Sequence, residues 1–162
     1  LPGHNHFSYI FGSDELADRF ALNLVPMIFE KLAEGKSPLV FGDDYPTPDG
    51  TCVRDYVHVV DLADAHLAVL DAIAAGTPVS SEYNVGRGEG YSVFEVVDAV
   101  RRASGQQFEV EVAPRRPGDP ALLVADASRI KDELGWTAKF SLDDMVTSAW
   151  SGFERNGAPV KA

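Results

Sequence analysis

Three arginines are the residues of this chain best suited to chemistry. Arg54 stands in FGDDYPTPDGTCVRDYVHV (residues 41–59), and Arg115 and Arg116 stand in PRRPGDP (residues 114–120). The chain has 162 residues and a formal charge of −11, so arginines concentrated at two places call for a reason. A guanidinium is a planar fork of donors that meets phosphate or carboxylate with two bonds at once. Prolines on either side of Arg115 and Arg116 fix part of the backbone, which suits a loop that holds an anion. The bland alternatives are plain: Asp55 neutralises Arg54 on a hairpin, and Asp119 balances the second pair on a solvated loop. Each stretch alone leaves both readings open. Together they favour a small anion held in a locally basic pocket.

Other candidate chemistry is thinner. YNVGRGEGYS (residues 83–92) has the strand, glycine turn and helix order of a dinucleotide fingerprint. Gly86, Gly88 and Gly90 give only G-x-G-x-G, with Tyr91 in the place of a further glycine. A tight strand-to-helix turn explains the pattern as well as a cofactor does. Cys52 has no His–acid pair near it, His58 being a weak candidate, and a small buried thiol is the simpler reading. Asp43, Asp44, Asp49 and Asp55 fit no calcium-loop spacing, and turns recruit Asp for backbone reasons alone. His4 and His6 have no Cys or acidic partner beside them and read as loop rather than metal site.

These side chains need elements to hold them. Residues 21–34 have helical spacing, with Leu24, Ile28 and Leu32 on one face and Gly35 as the stop. Residues 38–41 are a short apolar strand, Asp49-Gly50 is a turn, and 53–59 is extended. Asp61 is placed to cap a helix whose stripe is Leu62, His66, Val69 and Ile73. Residues 82–85 read as a strand, and Ser92 with Glu95 as a capping box for a helix carrying Val93, Val96, Val97 and Val100. Phe108, Val110 and Val112 alternate with Glu109 and Glu111 as a half-buried strand does. A short helix from Asp126 follows, then one opened by Ser141 and Asp144 with a core face of Met145, Ala149, Trp150 and Phe153. The alternation is that of an α/β domain.

Bulk properties bound the function. A composition of 45% hydrophobic and 24% charged residues excludes wholesale disorder. The negative charge argues against nucleic acid and anionic membrane as partners. No apolar run reaches the ~18 residues of a membrane span. One cysteine excludes an intramolecular disulfide and suits a reducing cytoplasm. The chain begins at Leu1, which fits a fragment or a processed product.

FGDDYPTPDGTCVRDYVHVVDLADAHLAVL resembles the UDP-glucose 4-epimerases of the extended short-chain dehydrogenase/reductase group, with NLVPM before it and APRRPGD, ADASRI and LGW after it in the family's order. The resemblance covers about residues 16–155. It implies a small mixed sheet with flanking helices, the substrate-binding part of such an enzyme, lacking most of the Rossmann domain. By the resemblance, residues 16–162 are the UDP-sugar-binding domain, and residues 1–15 are an atypical leader whose HFSYIFGSDE departs from the family.

The resemblance also implies roles. Asn23 and Leu24 stand where the family contacts the nucleotide diphosphate, and the Leu39–Phe41 backbone where the uracil edge is read. Arg54 and Arg116 match its diphosphate-binding arginines, and Asp119 the acid that takes the ribose hydroxyls. Leu123 stands at a hexose-facing position that varies, which leaves the glucose and N-acetylglucosamine forms of the sugar open. The family moves a hydride between sugar C4 and bound NAD, using a Tyr-x-x-x-Lys pair. No tyrosine of this chain has Lys four residues on, so no catalytic residue and no bound NAD are expected of it alone. The implied ligand is a UDP-hexose of galactose metabolism. A face left bare by the missing half favours homo-oligomers. The alternatives are a self-associating domain without catalysis and a relative acting on another nucleotide sugar.

Overall fold

The computed structural model describes residues 23–155. In chain order they form α1 (Leu24–Ala33), β1 (Leu39–Phe41), β2 (Val53–Arg54), α2 (Val59–Ala74) and β3 (Tyr91–Ser92). There follow α3 (Val93–Ser104), β4 (Glu111–Ala113), β5 (Leu122–Leu123), α4 (Ser128–Leu134) and α5 (Leu142–Arg155). The α/β expectation holds, with the strands divided between two small sheets. β1 pairs in parallel with β4; β2 lies between antiparallel β3 and parallel β5. The expected leader and His4 and His6 lie outside the described residues.

The main core lies among α1, α3 and α5, with Val40 of β1 against them. Ile28, Val96, Val97, Val100, Met145 and Val146 are all 1% exposed or less. All but Val146 belong to the apolar stripes read from the sequence, and the faces meet because a helical stripe must be covered. Phe29 meets the edge of Trp150 at 5.1 Å between centroids, with Phe153 beside both. The expected capping box opens α3, with Glu95 N–H donating to Ser92 Oγ and Ser92 N–H to Glu95 Oε2. Ser141 and Asp144 do the same for α5.

Four expectations are corrected. α2 is capped by His58, not Asp61: His58 Nδ1 accepts from Val60 N–H at 3.0 Å, and Nε2 meets Ser148 Oγ at 3.0 Å. Asp61 is fully buried, and its carboxylate accepts the Lys139 and Phe140 N–H groups. The inner face of α2 is therefore Asp61 and Ala65, while His66 and Ile73 of the expected stripe lie exposed. Residues 82–85 are irregular, since no neighbouring strand among the described residues offers them a ladder. Tyr83 instead donates to Glu133, and Asn84 to the Asp126 carbonyl. The strand expected at Phe108–Val112 is shifted to Glu111–Ala113, where β1 supplies a partner, and Val112 is 46% exposed.

Candidate functional site

The 41–54 segment is a bracket, not a hairpin. Its turn forms at Asp49-Gly50, with Tyr45 N–H donating to the Gly50 carbonyl at 2.8 Å, yet β1 and β2 join different sheets. Asp49 Oδ1 accepts from the Thr51 N–H and hydroxyl, and Oδ2 accepts from Ser92 Oγ. Fully buried Thr51 in turn accepts Val93 N–H at 3.1 Å. The loop is thus bolted to the start of α3. Burial opposes the charge on Asp49, but the bonds from Ser92 and Thr51 outweigh it and hold the carboxyl below its usual range.

Arg54 emerges three residues after this bolt, on β2. Its Nη1 donates to the Val53 and Pro120 carbonyls, each at 2.8 Å, and Nη2 stands 3.5 Å from Asp119 Oδ1. Its neighbour in sequence, Asp55, is engaged elsewhere. That carboxylate accepts the N–H groups of Arg87, Gly88 and Ala125 at 3.0–3.2 Å. The hairpin pairing of Arg54 with Asp55 is therefore absent.

The same bonds decide the glycine turn. Arg87 and Gly88 N–H, the donors a pyrophosphate would need, already hold Asp55, and a Cβ on Gly86 would collide with that carboxylate. Glycine lets the backbone approach Asp55, not a cofactor. This turn therefore has no free N–H pair to offer a pyrophosphate. His58 is committed to Val60 and Ser148 and gives Cys52 no base. Burial pushes the Cys52 thiol up, against a nucleophilic role at neutral pH. Among the described residues, no three His, Cys, Asp or Glu gather to hold a metal.

The tandem arginines divide. Arg115 Nε meets Asp44 Oδ1 at 2.5 Å, Nη2 donates to the Asp44 carbonyl, and the guanidinium covers the Tyr45 ring. The bond from Arg115 holds the Asp44 carboxyl below its usual range. Arg116 lies over the Phe41 ring, Cζ 3.9 Å from the centroid, and makes no ion pair among the described residues. Arg115 is structural; Arg116 keeps its charge available.

The remaining expected site residues lie on β5, on β1 and at the start of α1. Leu123 is the register partner of Arg54 across the parallel β2–β5 pair and is 51% exposed. Pro38 C=O and Gly42 N–H bond toward β4. By strand alternation, the backbone groups of Leu39 and Phe41 then face the opposite edge, where no strand lies among the described residues. Asn23 precedes α1, and Leu24 packs against the main core. The sequence reading missed the Phe41 side chain and Tyr45. Their signal was an aromatic placed either side of DD in the arginine-bearing segment.

A family model described as GDP-mannose 4,6 dehydratase matches residues 5–149. The chain is 47% identical over 161 residues to a UDP-glucose 4-epimerase of Bifidobacterium longum subsp. longum, covering 96% of this chain and 46% of that relative. A solved UDP-glucose 4-epimerase from Bifidobacterium longum, in complex with NAD+ and UDP, superposes with a TM-score of 0.70 at 48% identity, covering 83% of this chain and 41% of that one. Another UDP-glucose 4-epimerase structure reaches a TM-score of 0.80 at 40% identity, covering 92% and 45%. The chain spans less than half the length of these relatives.

Proposed function

The chain belongs to the GDP-mannose 4,6 dehydratase family, and from that premise we propose that it is the UDP-sugar-gripping portion of a UDP-glucose 4-epimerase. One observation carries the reading: Asp55 is satisfied by three backbone N–H groups, so Arg54 projects beside Asp119 for a purpose other than pairing with its neighbour. In this reading Arg54 and Arg116 take the diphosphate, with Asn23 and Leu24 adjoining it. Asp119 accepts the ribose hydroxyls, the free edge of Leu39 and Phe41 reads uracil, and Leu123 faces the hexose. The chain's own residues bind and orient. Supply of NAD and of the acid–base pair falls to residues outside this sequence, in the cytoplasm that a lone thiol suits.

The test is Arg54→Ala. UDP binding weakens by roughly 1.5–3 kcal/mol, the worth of a hydrogen bond to a charged group. Arg54→Lys restores only part of it, because an ammonium lacks the fork. Uridine binds all three proteins alike. Equal UDP affinity by titration calorimetry across the three overturns the reading.

A second reading, self-association, is favoured by α2. Val60, Leu67, Leu70 and Ile73 along it are 44%, 55%, 59% and 54% exposed. Such a face in water favours a homo-oligomer.

A further inference from the structure

Tyr45 is 6% exposed, yet its hydroxyl is buried without a hydrogen-bond partner among the described residues. A buried phenol normally finds one, since its lost water contacts are otherwise uncompensated. The ring is held firmly. Gly42, at φ +83°, leaves room for its edge, where a Cβ would stand 2.8 Å from Tyr45 Cε2. Arg115 lies over the face with Cζ 4.1 Å from the centroid and is itself tied to Asp44. The Tyr45 N–H and C=O are both bonded within the loop, to Gly50 and Thr47.

Asp119, Arg115 and Arg54 are the charged groups that act on this phenol, with the neutral Cys52 thiol beside them, and Asp119 and Arg54 belong to the proposed diphosphate site. Burial first, then Asp119, pushes its pKa up, which keeps it a neutral donor. A site that holds both Asp119 and a phosphate benefits from such a group, which serves an anion without adding charge.

We propose that Tyr45 is a binding residue whose hydroxyl donates to a phosphate oxygen of bound UDP, directly or across one water. The inference rests on the reading of the arginine cluster as a UDP-sugar site. It adds a donor that neither the arginine pattern nor the family resemblance had assigned.

Tyr45→Phe tests it, removing one oxygen and keeping the ring beneath Arg115. Calorimetry with UDP, uridine and inorganic pyrophosphate on the whole chain is paired with thermal melts of the ligand-free protein. UDP affinity falls about tenfold, as for a lost bond to a charged acceptor, and uridine affinity stays within about twofold. The ligand-free melting temperature holds or rises, because the variant no longer buries an unpaired hydroxyl. A hydroxyl with only a structural role gives the reverse pattern: a lower melting temperature and unchanged UDP affinity. If the parent binds UDP and Tyr45→Phe binds it equally, the Tyr45 assignment is overturned and the site reading stands. Equal losses for UDP and uridine overturn it as well, since they report a deformed pocket. If the parent binds neither UDP nor pyrophosphate, both readings fall together.

Discussion

Helices α5 and α2 have similar lengths, 14 and 16 residues, and both are rich in apolar side chains. On α5, Leu142, Met145, Val146 and Trp150 all turn inward, against α1 and α3. On α2 the buried positions are Asp61 and Ala65, while Val60, Leu67, Leu70 and Ile73 face out. A helix apolar on one stripe belongs at the edge of a core; a helix apolar on both sides belongs between two layers. One side of the molecule carries a closed core that also anchors the 41–54 bracket. The other side presents a face suited to a second layer. Stability and association should therefore respond to different residues.

The largest effect belongs to the closed side. Trp150→Ala removes a side chain that is 5% exposed and packed edge-on against Phe29 and tilted against Phe153. The expected cost is about 3–5 kcal/mol, read from denaturant melts. A cost under about 1 kcal/mol, the level of surface substitutions, would erase the contrast between the helices.

A smaller effect sharpens it at the join between core and site. Asp49→Ala leaves the Thr51 N–H, the Thr51 hydroxyl and the Ser92 hydroxyl without their shared acceptor, at a cost of about 1–3 kcal/mol. The sign with pH follows from the lowered Asp49 pKa. Its stabilisation is present above the unfolded value of about 3.9 and is lost as pH falls through the lower folded value. Asp144, lowered by its bonds with Ser141, adds to the same acid window. Asp49→Asn should flatten the fall of stability with acid below about pH 4. An unchanged slope would show that Asp49 is not what bolts the loop.

The two helices also mark where sequence was legible. α3 and α5 were readable because their caps and apolar stripes are local and agree: Ser92 with Glu95, Ser141 with Asp144, Met145 with Trp150. α2 misled because Asp61 looks like a cap while its partners, the Lys139 and Phe140 N–H groups, lie 78 and 79 residues away. Within the proposed site, Arg54 and the Arg115–Arg116 pair stood out by type, and the family resemblance singled out Arg116 and Asp119. The physical cause of the split between Arg115 and Arg116 was not legible, for it depends on Asp44 and Phe41 meeting the 114–120 loop across the fold. The same holds for the glycine turn, whose occupant is a carboxylate from β2's end.

The smallest expected change in stability carries the sharpest test of the open face. Leu70→Lys, made alone and with Leu67→Lys, replaces side chains that are 59% and 55% exposed and bury little apolar area in the monomer. Each should shift unfolding free energy by no more than about 0.5 kcal/mol, as surface substitutions do. Association should respond far more. If copies meet through α2, each leucine leaves water at about 25 cal/mol per Å², and two opposed lysines repel across the new contact. Light scattering over a concentration series should then show the parent gaining mass and the double variant remaining monomeric, with UDP affinity the same in both. A parent that stays monomeric at high concentration and binds no hydrophobic dye would show that α2 does not drive association. A parent that associates as strongly with both lysines in place would move the contact to another face, where exposed Leu122 and Val112 are the next apolar positions to change.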